Sequence, residues 1–213
     1  LERWTALGCL GRIYVATEGI NAQMNVPKKN WDQFDAFMKS KKEFLGVPYK
    51  FAVEEGESSS FYKLIVRVKD KIVADGLDDE SFDVTNTGEY LTAEEMNEYV
   101  DDPNAVVVDM RNIYEAEVGH FENAVCPDVD TFREELAKTP ETLRIHKNKK
   151  IALYCTGGIR CEKASAWLKH NGYENVKHLR GGIIDYKHQV EREGLENKFK
   201  GKNYVFDERL GER

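Results

Sequence analysis

No apolar run in this chain approaches the ~20 residues that cross a bilayer, and no basic-then-apolar leader opens it. Cysteine is scarce too: Cys9, Cys126, Cys155 and Cys161 are the four in 213 residues. That is too few for a secreted disulfide scaffold, and it points to a reducing, cytoplasmic compartment. A pair such as Cys155 and Cys161 falls short of the four ligands of a structural zinc site. No flavin, haem or iron motif stands out, so neither metal nor cofactor is expected. Repeats and low-complexity tracts are missing as well. The chain starts at Leu1, in what reads as the end of a helix, and is expected to be a fragment of a longer protein.

Charge is unevenly spread. Residues 1–140 carry 28 acidic and 15 basic side chains, whereas residues 141–213 carry 16 basic and 10 acidic ones. The formal net charge of -7 therefore hides a basic last third, which is compatible with a polyanionic substrate such as RNA. Solvated faces are the plainer explanation of the same pattern.

Residues 1–74 read as a small α+β domain. Arg12–Ala16 and Ile20–Val26 flank the Thr17-Glu18-Gly19 turn as two strands. A helix follows Asn30, a good N-cap, with Trp31, Phe34, Phe37 and Met38 on one face. Tyr49–Val53 and Phe61–Val68 supply two more strands. This order is that of a ferredoxin-like sandwich without its first strand, which leaves a sheet edge exposed or differently covered. The polar stretch 75–88 reads as a linker or strap. Residues 89–195 alternate helix and strand: a helix capped at Thr92, a strand at 105–110, a short helix at 131–137, a strand at 151–154, a helix at 161–170, a strand at 175–179 and a helix at 183–193. That alternation predicts an α/β doubly wound parallel sheet, with ligands at the carboxyl ends of its strands. Residues 196–213 form a C-terminal extension.

The chemistry concentrates at Cys155-Thr156-Gly157-Gly158-Ile159-Arg160-Cys161. A buried-type strand ends on a cysteine, two glycines turn the chain, and a helix begins. Loop N–H groups and the helix dipole can then converge on the sulfur. Such surroundings bring a thiol from ~8.5 into the range of about 3.5–7.5, so Cys155 is the expected nucleophile. Cys161 reads either as an auxiliary thiol or as a small helix residue facing the core. Arg160 borders the ring and is assigned an electrostatic role, with a surface ion pair as the alternative. Cysteine phosphatases use a larger C-x5-R cradle. Cys155 and Arg160 enclose only four residues, a ring that suits a single sulfur anion. Asp109 and Arg111 read as a supporting ion pair. His120 reads as a base or a backbone-bound imidazole, and Cys126 as a half-buried small residue.

Three segments, Asp109-Met110-Arg111, Gly119-His120-Phe121-Glu122-Asn123-Ala124 and the Cys155 loop, together with the Gly181-Gly182 turn, resemble the rhodanese superfamily. The stretches Tyr14–Ala22, Ile72–Gly76, Cys155–Trp167 and Val205–Arg209 further resemble the tRNA uridine-34 hydroxylase family. The resemblance implies a ferredoxin-like domain followed by a rhodanese-like one. It also implies oxygen-dependent 5-hydroxylation of the wobble uridine in tRNA, with molecular oxygen as co-substrate and Cys155 passing through a persulfide. The chain departs from that family in lacking its leading strand and its cysteine-rich C-terminal segment, and in placing Tyr186 where rhodanese domains usually have Trp. For the anticodon loop, Arg144, His146, Lys147, Lys149 and Lys150, with Lys163 and Lys169, are the candidate cations, and Tyr14 and Tyr186 the candidate stacking rings. A plain sulfurtransferase and a silent binding scaffold remain as alternatives. Oligomeric state is not legible.

Overall fold

The computed structural model describes residues 1–51 and 61–204. Within them the chain divides into two compact units, one built from residues 1–49 and 61–72, the other from 50–51 and 73–204.

In the first unit, helix α1 (Glu2–Ala6) leads into strands β1 (Leu10–Ala16) and β2 (Gly19–Asn25), an antiparallel hairpin. Helix α2 (Trp31–Lys39) follows, and then β3 (Leu64–Val68). The sheet order is β2-β1-β3, with β3 parallel to β1, so the side of β1 away from the hairpin is covered by the last strand. Trp4, Leu7, Cys9, Ile13, Phe34 and Met38 make the core. Asn30 sits at the N-cap position of α2 but does not cap it. Its Nδ2 donates instead to Leu7 O at 2.8 Å, tying the helix start to the end of α1. Of the strand expected at Tyr49–Val53, residues 49–51 are not in a strand, and 52–53 lie outside the described residues.

The second unit holds a four-stranded parallel sheet in the order β4-β8-β7-β5, from β4 (Glu89–Leu91), β5 (Ala105–Asp109), β7 (Lys150–Tyr154) and β8 (Val176–Leu179). Each strand's side chains alternate between two cores. Ile151 and Leu153 pack with α5 (Phe132–Thr142) and α6 (Ile159–His170). Ala152 and Tyr154 pack with α3 (Ala93–Asp101) and α7 (Gly182–Glu193). Helices on both faces of a parallel sheet are the doubly wound arrangement read from the sequence. The capping box at Thr92 is present, with Glu95 N–H on Thr92 Oγ1 and Thr92 N–H on Glu95 Oε2 at 2.8 Å. A short helix α4 (Ile113–Val118) and strand β6 (Gly119–Phe121) lie between β5 and α5, and β6 pairs with β9 (Phe199–Gly201). Among the described residues no helix is long and apolar enough to cross a membrane.

The acidic stretch 75–88 lies along α6. Asp75 is buried against Lys163 at 2.8 Å, Gly88 N–H donates to Ser165 Oγ at 2.9 Å, and Phe82 meets the edge of Trp167.

Helix α5 runs five residues beyond the expected stop at Ala137, straight through Pro140. Proline has no N–H to give to Leu136 O, four residues back. The indole Nε1 of Trp167 on α6 donates to that carbonyl at 3.1 Å, so the helix continues without an orphaned acceptor. Trp167→Phe keeps an aromatic ring against Phe82 but removes the donor. It is expected to cost about 1–3 kcal/mol, the penalty of an unpaired buried carbonyl. In a Pro140→Ala background, where residue 140 regains its N–H, the same change should cost clearly less. Urea unfolding of the four proteins by far-ultraviolet circular dichroism checks this, and equal costs in both backgrounds would contradict it.

Candidate active site

Strand β7 ends on Tyr154, and Cys155 follows at the carboxyl edge of the sheet, next to its middle. Two successive carbonyls after the strand are tied down by the next helix but one. Ile183 N–H donates to Cys155 O at 2.9 Å and Ile184 N–H to Thr156 O at 3.2 Å, both from the first turn of α7. This approach leaves no room for a side chain at Gly182, where a Cβ would sit 2.4 Å from Cys155 O and 2.6 Å from Thr156 O. With its carbonyls turned toward α7, the loop turns N–H groups the other way. Gly158, left-handed at φ 94°, donates its N–H to Cys155 Sγ at 3.1 Å and opens α6 as its N-cap. The Cys161 thiol interacts with the same sulfur from the first turn of that helix, its N–H closing the turn onto Gly158 O at 3.0 Å.

Cys155 is 1% exposed, and burial alone pushes its pKa up. The Cys161 thiol, the Arg160 guanidinium and the N–H groups of Cys161 and Gly158 outweigh burial and bring it down to about 5. The sulfur is therefore a thiolate at neutral pH. Cys161 moves the opposite way, raised by its own burial and by the charge beside it. One negative charge occupies the pair, and it sits on Cys155, the sulfur with the amide donor.

Arg160 is fixed by a carboxylate that the sequence reading passed over. Its Nη1 and Nη2 donate to Glu115 Oε1 and Oε2 at 2.6 and 2.9 Å, and Glu115 is fully buried. Glu115 also accepts from Asn112 N–H at 3.1 Å and Thr156 Oγ1 at 3.3 Å, joining α4 to the loop. The Asn112-x-x-Glu115 spacing is the signal that marks it. The ion pair of Arg160 is thus buried and not the surface pair of the alternative reading, and the guanidinium also lowers the pKa of the thiol.

Asp109 and Arg111 form a bidentate pair at 2.8 and 2.7 Å, both fully buried. Arg111 Nη2 donates on to Gly119 O, and Tyr154 O–H donates to Asp109 at 2.6 Å. The pair braces the carboxyl ends of β5 and β7 and the start of β6. A second unforeseen carboxyl, Glu135, is fully buried on α5 with neither oxygen hydrogen-bonded. Burial, with Asp109 nearby, raises its pKa well above the carboxylate range and favours the neutral acid.

The remaining expectations fare unevenly. His120 Nδ1 lies 3.0 Å from Ala116 O, a backbone-bound imidazole. Cys126 is half-buried, its pKa pushed up to about 11 by burial. Two readings need correction. Lys163 is 5% exposed and ion-paired with Asp75, so its ammonium is held inside the unit instead of facing a polyanion. Tyr186 is fully buried, its O–H on Asn97 Oδ1 at 2.7 Å, and fills the core beneath α7 instead of offering a ring to a base. Arg144, His146, Lys147 and Lys149 precede β7 and Lys150 opens it, so all five lie at the amino edge of the sheet. A five-residue strand, about 17 Å, separates that edge from the sulfur. Lys150 pairs there with Asp102, and Lys147 donates to Asn171 O. Lys169 is held by Asn86 and Thr87. Much of the basic excess in the last third is thus spent on the acidic segment of the same unit. Tyr14, in the first unit, is half-buried under the Lys69 ammonium. Among the described residues no cluster of three His, Cys, Asp or Glu is placed to hold a metal.

Replacing Arg160 by Gln removes the cation nearest the thiolate and leaves Glu115 facing it uncompensated. The iodoacetamide alkylation rate of Cys155 at pH 6 is expected to drop about tenfold against the parent protein, with the rate at pH 9 little changed. An unaltered ratio of the two rates would show that the guanidinium does not hold the charge.

Comparison with known proteins agrees with this arrangement. Residues 1–72 match the UPF0176 acylphosphatase like domain and residues 92–189 the rhodanese-like domain. A protein of Leptospira interrogans named tRNA uridine(34) hydroxylase is 58% identical over 209 residues, covering 98% of this chain and 57% of that protein. Proteins of the same name from Escherichia coli and Salmonella arizonae are 54% identical over all 213 residues, 61% of their own length. The chain therefore spans 57–61% of the curated relatives it matches. This chain thus joins an acylphosphatase like domain to a rhodanese-like domain with a charged cysteine cradled at the carboxyl edge of its parallel sheet, and along essentially its whole length it is similar to proteins named tRNA uridine(34) hydroxylase.

Proposed function

We propose that this chain is the part of a cytoplasmic enzyme that carries the reactive cysteine for 5-hydroxylation of uridine 34 in tRNA, with molecular oxygen as co-substrate. The observation that carries the reading is the identity of 54–58% along essentially the whole chain to proteins of that name. The site adds chemical support. A thiolate at neutral pH is a ready nucleophile and a ready acceptor of sulfane sulfur, and its cradle is sized for one anion.

The carboxyl edge of the sheet is where the substrate base must arrive, because Cys155 lies there. Gly157 marks the open side of the loop, with nothing within 4 Å of where a Cβ would stand. Two exposed groups at the same edge suit an unpaired base and its phosphate. Arg180, just after β8, stands 5.1 Å over the ring of Tyr90. Stacked arginine and aromatic faces are how single-stranded RNA loops are read.

The test is nucleoside analysis of tRNA from cells lacking the gene, complemented by the full-length gene or by its Cys155→Ala form. The unmutated gene should restore 5-hydroxyuridine and the variant should not. Restoration by the variant would overturn the assignment of Cys155. Unchanged 5-hydroxyuridine in the deletion strain, together with thiosulfate-dependent turnover by the protein without RNA, would replace the reading with that of a plain sulfurtransferase.

A further inference from the structure

Cys161 is the thiol that the proposed chemistry leaves unused. It lies in the first turn of α6, fully buried, in the same core cluster as Cys155. Gly158 links the two residues, giving its N–H to Cys155 Sγ at 3.1 Å and taking the Cys161 N–H on its carbonyl at 3.0 Å, and the Cys161 thiol interacts with the Cys155 sulfur. The other two cysteines stand apart from this arrangement: Cys9 belongs to the first unit's core, and Cys126 Sγ lies against Ala124 O. A buried thiol placed only to fill space needs no sulfur for a neighbour. Here the neighbour is the reactive sulfur itself.

We propose that Cys161 is the resolving thiol of this site, closing a Cys155–Cys161 disulfide whenever Cys155 carries a sulfane sulfur. The inference rests on the reading of Cys155 as a persulfide-forming nucleophile. The step balances without an outside oxidant. The Cys161 sulfur attacks the inner sulfur of the Cys155 persulfide anion, a bond forms between the two cysteine sulfurs, and the bond to the terminal sulfur breaks. The Cys161 proton passes to the departing sulfur, which leaves as hydrosulfide, so one negative charge is present before and after. A dithiol reductant then returns both cysteines to thiols.

The electrostatics explain the order of events. Burial and, beside it, the Cys155 thiolate keep the proton on Cys161, so the pair holds a single charge. Once the inner sulfur is neutral within an S–S bond, the charge moves to the terminal atom, and the Cys161 thiol shares its buried cluster with an electrophilic sulfur.

The experiment treats the reduced protein with inorganic polysulfide, blocks remaining thiols with iodoacetamide and maps peptides by mass spectrometry. The parent protein should release sulfide and yield a linked Cys155–Cys161 peptide lighter by two hydrogen atoms, reversed by dithiothreitol. Cys161→Ser, with Cys161→Ala as a second variant should serine disturb the core, should lose that linked peptide and retain a Cys155 peptide heavier by one sulfur. A parent protein that holds its persulfide as long as the variants do, with Cys161 still alkylated, would overturn the resolving role and leave the persulfide reading standing. Failure of every form to take up sulfane sulfur would overturn both.

Discussion

The hold of α7 on the two carbonyls that follow β7 is the constraint from which the rest of the site follows. A loop of this length has few ways to satisfy its backbone groups when buried. Giving the oxygens of Cys155 and Thr156 to the N–H groups of Ile183 and Ile184 commits one side of the loop, and the amide of Gly158 is left to point at the sulfur. The helix end can approach so closely only because residue 182 has no side chain. Gly157-Gly158 and Gly181-Gly182 are thus halves of one device, far apart in sequence and in contact through backbone alone.

Charge is arranged with similar economy. Two buried ion pairs surround the cysteine, Arg160 with Glu115 and Arg111 with Asp109, and each is neutral as a unit. Burial raises the pKa of Glu135 and favours its neutral form. The thiolate is held by oriented dipoles and by the nearer face of one guanidinium. Buried ion pairs contribute little net stability, because desolvation offsets most of their attraction. Their value here is positional, since they lock α4, the strand ends and the loop to one another through directional, bidentate contacts.

Sequence patterns were informative where one local rule governs, and silent where the answer lies across the fold. Three of the four parallel strands, β5, β7 and β8, were legible, while the three-residue β4 was not, and the cysteine loop was legible as a strand end followed by glycines and a helix. Helix α5 runs past the expected end at Ala137 and through Pro140, a residue that ordinarily stops a helix. The indole that rescues it comes from Trp167, a pairing without local signature. Glu115 lies on a six-residue helix too short to show a period, and Glu135 reads as one more charge on an amphipathic surface. Lys163 and Lys169 looked like solvated cations for the same reason, because their partners Asp75, Asn86 and Thr87 arrive from a stretch that reads as a linker. Tyr186 was open to either reading until its burial was known.

The central claim is that this cysteine is charged although it is buried, and the direct measurement is its titration. Far-ultraviolet thiolate absorbance of the parent protein minus that of Cys155→Ser, followed as pH rises from acid through neutral, where burial keeps the proton on Cys161, reports the charge on that sulfur. The account predicts an inflection near pH 5. An inflection at or above the ~8.5 of an ordinary cysteine would contradict it, because burial would then have won over the dipoles aimed at the sulfur.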